Sequence, residues 1–317
     1  MAQVAANGIT IEYEESGPPS GPALLMINGL GVQLSHWPEP FVTALAEAGL
    51  RAIIFDNRDI GLSTKFEAAG VPSLKAMLMR TAMGLRPDAP YGLDDMAADA
   101  VGLLDALGIE RAHVLGLSMG GMIAQIVAAR WPARTRSLIS IMSTSGRPDL
   151  PQARPEAREA LTSQPASEAR EDLIAHGVAI WRAIGSPGFP VDEAFLRDHV
   201  ARNVDRSYYP DGFVRQFAAI LASKGRVELL KTVAVPTLVI HGRDDPLIPV
   251  ECGEDTAALV PGAELMVIDG MGHDLPPALW PRLVAAIAEH CRRADGDEGR
   301  AVSGNRARGS GSGPGSA

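Results

Sequence analysis

The sequence predicts an α/β fold, in which a mostly parallel sheet of about eight strands is flanked by helices. The first observation is that short apolar runs alternate with segments of helical periodicity in both halves of the chain, as in repeated strand–helix–strand units. The second is that residues 146–227 carry helical patterns without a strand signal. The third is that 317 residues, 46% of them apolar, suffice for one large core with an insertion.

Five strands are predicted in the first half of the chain. ITIEYE (9–14) alternates apolar and polar residues, which is typical of a half-buried strand. The other four are continuous apolar runs, typical of strands buried on both faces: ALLMI (23–27), RAIIFD (51–56), AHVLGL (112–117) and SLISIM (137–142). Helices are predicted between them, around Trp37–Ala48, over 94–107 and over 119–130.

The alternation resumes after residue 227, with strands at 237–242 and 265–269 and helices at 250–259 and 278–291. We therefore divide the chain into a first core part (1–145), a helical lid (146–227) and a second core part (228–292). The lid is expected to cover the carboxyl edge of the sheet, with helical pieces near 154–161, 168–184, 192–204 and 211–223. Residues 293–317 are rich in Gly and Ser and are expected to be disordered.

A smaller insertion at 66–90 contains the Met-rich segment SLKAMLMRTAMGL (73–85). Two interpretations are open. The segment is either a helix packed on the core or lid, or a flexible apolar wall of a substrate pocket, because methionine adapts to varied shapes.

Composition argues against several classes of function. The net charge of −9 opposes binding to a phosphate backbone, so no nucleic-acid partner is expected. No apolar stretch approaches the roughly 20 residues that span a bilayer, and the N-terminal segment lacks a signal-peptide pattern. A cytoplasmic protein without a membrane span is therefore expected. Cys252 and Cys291 do not have metal-ligand spacing and are expected to be free thiols.

The strongest chemical signal is GLSMG at 116–120, a G-x-S-x-G match that follows a predicted strand and opens a predicted helix. The glycines allow a sharp turn that lifts Ser118 above the edge of the sheet. The N-terminus of the helix favours developing negative charge beside it. The motif therefore indicates that Ser118 is a nucleophile.

His273 is the candidate general base. It lies in GMGHDLP, a loop between a predicted strand and a predicted helix, 28 residues after Asp245. The chain order Ser, Asp, His is the one expected with a G-x-S-x-G turn. Either Asp244 or Asp245 can orient the imidazole, and the spacing Gly242-x-x-Asp245-x-x-x-Pro249 favours Asp245.

The oxyanion formed in acyl transfer needs two backbone N–H donors. Met119, the residue after the nucleophile, supplies one of them. Leu30, in the loop NGLG (28–31) after the ALLMI strand, is the candidate for the second. The alternative interpretation is that NGLG is only a turn.

Together these motifs resemble the α/β-hydrolase superfamily, over about residues 3–292. Three segments resemble the aclacinomycin methylesterase-like group within it: HWPEPFVTALAEAGLRAIIFDNRDIGLST, DDMAADAVGLLDALGIERAHVLGLSMGGM and VPTLVIHGRDDPLIP. The resemblance implies hydrolysis of a small-molecule ester through an acyl-enzyme, with Ser118, His273 and Asp245 as the catalytic triad. It also implies the Leu30 and Met119 amides as oxyanion donors, and no cofactor or metal.

Two positions depart from the family pattern. Asn28-Gly29 stands where many relatives have His-Gly, and DNRDIG (56–61) replaces the commoner D-x-R-G-x-G. The backbone donor of Leu30 is unaffected by the first change. Asp56 and Arg58 are expected to brace the turn after their strand, because buried paired charges more often hold loops than react.

Other activities remain open on the same scaffold: a lactonase, a C–C hydrolase, a perhydrolase or a non-catalytic ligand-binding protein. Aromatic residues in the lid predict an apolar pocket and substrate; they are Trp181, Phe189, Phe195, Tyr208, Tyr209, Phe213 and Phe217. Among the other histidines, His36 is close to the NGLG loop and is a candidate to line the pocket. The rest are expected to be structural or solvated; they are His113, His176, His199, His241 and His290.

Overall fold

A computed structural model describes residues 1–309, with side chains described as far as residue 296. Eight strands form one sheet, in the order β1-β2-β4-β3-β5-β6-β7-β8. The strands are β1 (Ala2–Ala6), β2 (Ile9–Ser16), β3 (Ala23–Ile27), β4 (Arg51–Phe55), β5 (Ala112–Leu117), β6 (Thr135–Ile141), β7 (Thr237–Gly242) and β8 (Glu264–Ile268). The predicted fold class is confirmed.

The six strands from β3 to β8 run parallel, and β2 is antiparallel to both of its neighbours. Every residue of β3, β5 and β7 is buried, as their continuous apolar runs predicted. Because the carboxyl ends of parallel strands meet at one edge, the loops after β3, β5, β7 and β8 lie together there.

Helices cover both faces of the sheet and bury two apolar clusters. Leu25 and Val114 face one cluster, and Leu24 and Leu115 face the other, as expected from the alternation of side chains along a strand. The helices outside the insertion are α1 (Glu39–Glu47), α2 (Leu74–Ala82), α3 (Leu93–Ala106), α4 (Met119–Arg130), α10 (Val250–Leu259) and α11 (Trp280–Gly309). Among the described residues, no helix is both long enough and apolar enough to cross a membrane.

The chain between β6 and β7, here called the helical insertion (142–236), contains only helices as regular elements. They are α5 (Pro155–Thr162), α6 (Arg170–Ile184), α7 (Glu193–Arg206), α8 (Pro210–Ala222) and the single turn α9 (Val227–Leu230). Between α6 and α7, Ile174, Val178 and Val200 form a small apolar cluster that is separate from the two core clusters.

Two features at the ends of the chain differ from expectation. The strand β1 was not predicted; it pairs with β2 through a tight turn at Asn7-Gly8, where both residues have positive φ. At the other end, α11 continues beyond residue 292, where the core was expected to end. Of the tail expected to be disordered, residues 310–317 lie outside the described residues.

A buried ion pair fastens the helical insertion to the core. Asp59, in the turn after β4, and Arg215, on α8, are both fully buried and form two hydrogen bonds of 2.8 Å. Asp59 occupies the position where the family pattern has Gly, and its φ of 71° is in the left-handed region. Tyr91 donates a further hydrogen bond to the same carboxylate at 2.7 Å. The departure from the family pattern therefore creates an anchor for α8.

Two further pairs brace the turn after β4. Arg58 bonds Asp99 on α3, with Nε–Oδ2 at 2.5 Å and Nη2–Oδ1 at 2.7 Å. Asp56 accepts the N–H of Leu34 at 2.6 Å and a hydrogen bond from Arg206 at 2.8 Å. These contacts agree with the bracing role expected of Asp56 and Arg58.

We predict that Asp59→Ala lowers the free energy of unfolding by about 3–5 kcal/mol, because it leaves the Arg215 charge buried without its carboxylate. Urea unfolding followed by circular dichroism measures the change.

The double variant Asp59→Gly/Arg215→Met removes both charges and restores glycine at the positive-φ position, so most of the stability should return. As a control, Asp205→Ala breaks an exposed pair with Arg170 and should hardly move the unfolding midpoint. Equal losses for Asp59→Ala and Asp205→Ala would contradict the anchoring role.

Candidate active site

Ser118 stands in the turn between β5 and α4. Its backbone has φ 54° and ψ −117°, an unfavourable conformation for a residue with a side chain. Its N–H donates to the carbonyl of Ile141 at 2.9 Å. A Cβ on Gly116 would lie 2.1 Å from the carbonyl oxygen of Gly120, and a Cβ on Gly120 would lie 2.1 Å from that of Ile27. Only glycine fits at these two positions, so the G-x-S-x-G spacing follows from backbone contact.

His273 lies within hydrogen-bond distance of both predicted partners. Its Nε2 is 3.0 Å from Ser118 Oγ, and its Nδ1 is 2.7 Å from Asp245 Oδ2. The other oxygen of Asp245 accepts the N–H groups of Leu247 and Ile248, both at 2.8 Å. These two bonds hold the buried carboxylate in place, with its free oxygen against the imidazole.

Asp244, the alternative acid, bonds elsewhere. Its Oδ2 accepts the N–H of Gly270 at 2.7 Å. The structure therefore brings Asp245, rather than Asp244, to His273.

The loop that carries His273 is held from the insertion side. The N–H of His273 donates to the carbonyl of Ile184 at 2.7 Å, at the end of α6. The N–H of Gly272 donates to Ser186 Oγ at 2.8 Å. The position of the imidazole thus depends on the segment that follows α6 as well as on the core.

The two predicted oxyanion donors flank Ser118. Met119 is the first residue of α4, where a backbone N–H has no partner within the helix. Leu30 lines the same cavity as Ser118, and a Cβ on its neighbour Gly29 would lie 3.4 Å from Ser118 Cβ. Within the described part of the chain, neither amide donates a hydrogen bond to a protein acceptor.

Asn28 supports this loop in place of the histidine found in many relatives. It is fully buried, and its Nδ2 donates to the carbonyl of Gln33 at 2.7 Å. Its own carbonyl accepts a hydrogen bond from Asn57 at 3.1 Å. The side chain therefore closes the loop on itself, and the loop is also tied to the turn after β4.

Ser118 and His273 open into a cavity of about 1400 Å³ between the sheet edge and the helical insertion. Most of its surface is apolar, with contributions from the core and from α2, α5, α6 and α8. Among the lining residues are Leu30, Leu78, Met122, Met142, Ile180, Trp181, Phe213, Phe217 and Ile248. Three of the seven aromatic residues expected in the pocket, Trp181, Phe213 and Phe217, thus line this cavity.

Each of the two interpretations of the Met-rich segment is partly met. Residues Leu74–Ala82 form α2, in which Met77 is buried. Leu78, Thr81 and Ala82 line the cavity, whereas Met79 and Met83 are exposed. The segment is therefore a helix that also forms part of the pocket wall.

His36 lines the cavity, as expected, and pairs with a second histidine. Its Nδ1 is 2.9 Å from Nε2 of His199, and its ring stacks on Trp181 with centroids 4.6 Å apart. Burial lowers the pKa of His199 to about 4 and holds the pKa of His36 well below its ordinary value. Both rings are thus neutral near pH 7. His199 is buried, within the expectation that it is structural or solvated, but its pairing with His36 was not predicted, because the two residues are 163 positions apart in the chain.

Asp274 is a residue of the site that was not predicted from the sequence, although it follows His273 directly. It lines the main cavity and a neighbouring one of about 450 Å³. Its Oδ1 accepts a hydrogen bond from Ser186. Burial raises the pKa of Asp274 to about 6.

Three other histidines and the two cysteines are buried. His113, His241 and His290 are buried, and burial lowers the pKa of each. Cys252 and Cys291 are buried free thiols, and burial raises their pKa values to about 11 and 12. Among the residues whose side chains are described, no group of three His, Cys, Asp or Glu is placed to hold a metal ion.

The family model described as the alpha/beta hydrolase fold matches residues 22–276 of this chain. The chain belongs to the α/β-hydrolase family. Rhodomycin D methylesterase DnrP of Streptomyces peucetius is 30% identical over 307 residues, covering 90% of this chain and 96% of that protein. The poly(3-hydroxyalkanoate) depolymerase of Ectopseudomonas oleovorans is 29% identical, covering 81% and 80% of the two chains.

A solved α/β-hydrolase structure agrees with the fold. The enol-lactonase from Burkholderia xenovorans LB400 superposes with a TM-score of 0.66 at 22% identity, covering 91% of this chain and 99% of that one. The predicted family resemblance is confirmed, and so is the prediction that the protein is a hydrolytic enzyme.

We predict that His199 makes this α/β-hydrolase less stable in acid. The unfolded chain takes up a proton on this residue below its ordinary pKa of 6.5, whereas the folded state resists protonation down to about pH 4. Stability is therefore lost as the pH falls from 6.5 towards 4, by about 2 kcal/mol at pH 5.

Urea unfolding of wild type and His199→Gln at pH 8 and pH 5 measures this contribution. The difference in unfolding free energy between the two pH values should be smaller in the variant. An unchanged difference would contradict the assignment.

Proposed function

We propose that the protein is a serine hydrolase that cleaves a carboxylic ester in a largely apolar small-molecule substrate through an acyl-enzyme intermediate. The observation that carries the proposal is the chain of two short contacts, Asp245 to His273 at 2.7 Å and His273 to Ser118 at 3.0 Å. A nucleophile bonded to a base, which is itself oriented by a third group, is the arrangement that activates a serine hydroxyl.

In the proposed reaction, Ser118 Oγ attacks the ester carbonyl carbon while His273 Nε2 takes the hydroxyl proton. The negative charge that develops on the carbonyl oxygen is accommodated by the N–H groups of Leu30 and Met119. His273 then protonates the leaving alcohol as the tetrahedral intermediate collapses to the acyl-enzyme. A water molecule, deprotonated by His273, attacks the acyl group, and Ser118 is released with its proton restored.

Asp245 orients the imidazole in this scheme. Its Oδ2 accepts from Nδ1–H, which leaves Nε2 as the unprotonated nitrogen facing Ser118. The carboxylate also stabilises the imidazolium that forms during each proton transfer.

The cavity supports an apolar substrate. Its volume of about 1400 Å³ exceeds the range of about 300–1,000 Å³ usual for ligand pockets. Burial of apolar surface against Trp181, Phe213 and Phe217 stabilises the bound state. We propose that the helical insertion acts as a lid, because α5, α6 and α8 form the wall opposite Ser118. The methylesterase relative at 30% identity makes a methyl ester a suitable first substrate to test.

We predict that Ser118→Ala lowers kcat by about 10⁶-fold, because the nucleophile is lost. Asp245→Asn should lower kcat by about 10⁴-fold, because the imidazole loses the acceptor that fixes its tautomer. The matched control Asp244→Asn should stay within about threefold of wild type. Hydrolysis of methyl esters, aryl esters, lactones and 1,3-diketones, assayed side by side, measures these changes.

The controls separate the proposed chemistry from other activities. Ser140→Ala removes another buried serine hydroxyl, on β6, and should retain activity. Turnover of lactones or diketones without any turnover of esters would contradict the proposed ester substrate and favour a lactonase or a C–C hydrolase. Ester turnover by Ser118→Ala at the wild-type rate would overturn the mechanism.

A further inference from the structure

The loop after β3 (residues 28–34), here called the β3 loop, carries the Leu30 amide and is held from two sides. On the core side, Asn57 donates to the carbonyl of Asn28 at 3.1 Å, and Asp56 accepts the N–H of Leu34 at 2.6 Å. These contacts hold the two ends of the loop. Its middle, at Leu30 and Gly31, depends on the helical insertion.

Gln216 on α8 makes the central contact. Its side chain is fully buried, and its Oε1 accepts the N–H of Gly31 at 2.9 Å. Its Nε2 donates to the carbonyl of Arg58 at 2.8 Å, in the turn after β4. One amide group thus bridges the β3 loop and the core. Gly31 lies directly under α8, since a Cβ there would be 2.5 Å from the ring of Phe213.

The end of α7 holds the next part of the β3 loop. Gln33 Nε2 donates to the carbonyls of Asn203 and Ser207, both at 2.7 Å. Its Oε1 accepts from Arg206 at 2.8 Å, and the same Arg206 nitrogen lies 2.8 Å from Asp56. The β3 loop is therefore clamped between the core and the α7–α8 part of the insertion.

We propose that Gln216 is a positioning residue for ester hydrolysis, which fixes the β3 loop so that the Leu30 N–H points at the developing oxyanion. This inference rests on the proposed function. The N–H groups of Leu30 and Gly31 belong to consecutive peptide units. Because Gln216 fixes the Gly31 amide, it restricts the backbone rotation that would turn the Leu30 amide away from Ser118.

The same contacts hold helix α8 of the proposed lid against the core. Movement of α8 away from the core would break the Gln216–Gly31 bond and the buried Asp59–Arg215 pair together. Helices α7 and α8 must therefore stay in place against the core during catalysis.

The first test is Gln216→Leu, which keeps the approximate volume and removes both hydrogen bonds. Loss of an oxyanion donor typically lowers kcat by 10²–10³-fold, so a misaimed donor should lower it by about 10–100-fold. KM for the ester should stay within about threefold. The inhibition constant of a trifluoromethyl ketone, which forms an oxyanion when Ser118 adds to it, should rise in parallel with the loss of kcat/KM.

The second test is Gln216→Glu, because its kcat relative to wild type should depend on pH, which a purely structural role of Gln216 would not cause. A neutral carboxyl group can accept from Gly31 and donate to Arg58 as the amide does, whereas an ionised carboxylate cannot donate. The kcat of this variant, divided by that of wild type at the same pH, should therefore rise as the pH falls. This ratio remains informative even if Gln216→Leu does not fold.

The matched control is Gln125→Leu, which removes a buried amide that bonds Ser140 and Arg226. It should lower thermal stability without changing kcat at 25 °C. A folded Gln216→Leu with kcat within twofold of wild type would overturn the proposal, and so would a Gln216→Glu ratio that is pH-independent and well below one, because a neutral carboxyl group keeps both hydrogen bonds. Ester hydrolysis that survives in Ser118→Ala would instead overturn the proposed function itself.

Discussion

The backbone contact at the turn between β5 and α4 fixes the position of Ser118, around which the other parts of the site are arranged. The chain passes close enough to itself and to β3 that positions 116 and 120 accept only glycine, and Ser118 is held at φ 54° between them. Strain of this kind costs of order 1–3 kcal/mol and persists only when the surroundings enforce it. The buried strands β3, β5 and β6 enforce it here. As a result, the hydroxyl and the first turn of α4 face the same cavity.

The other parts of the site are arranged around this fixed point. Asp245 follows β7, the His273 loop follows β8 and the β3 loop follows β3, so all three reach the same edge of the sheet as Ser118. The helical insertion completes the arrangement from above. It binds the His273 loop through Ile184 and Ser186, and the β3 loop through Gln216. The insertion is thus a structural part of the site as well as the wall of its pocket.

Local patterns predicted the parts of the molecule that depend on short stretches of chain. The buried strands, the turn at Ser118 and the choice of Asp245 over Asp244 each follow from a few adjacent residues. Contacts between distant residues gave no such signal: Gln216 and Gly31 are 185 residues apart, and Asp59 and Arg215 are 156 apart. The departure of Asp59 from the family's glycine was visible in the sequence, but its reason appears only once Arg215 is placed beside it. The strand β1 was missed even though Asn7-Gly8 is a typical hairpin turn, because three of its five residues are exposed and its apolar pattern is weak.

Mass spectrometry of the enzyme, quenched within milliseconds of mixing with an activated ester, tests whether Ser118 forms an acyl-enzyme. We expect a mass increase equal to the acyl group, located by peptide mapping on Ser118 and decaying as product forms. An adduct on another residue, or product formed in the first turnover with no adduct at any time, would contradict it.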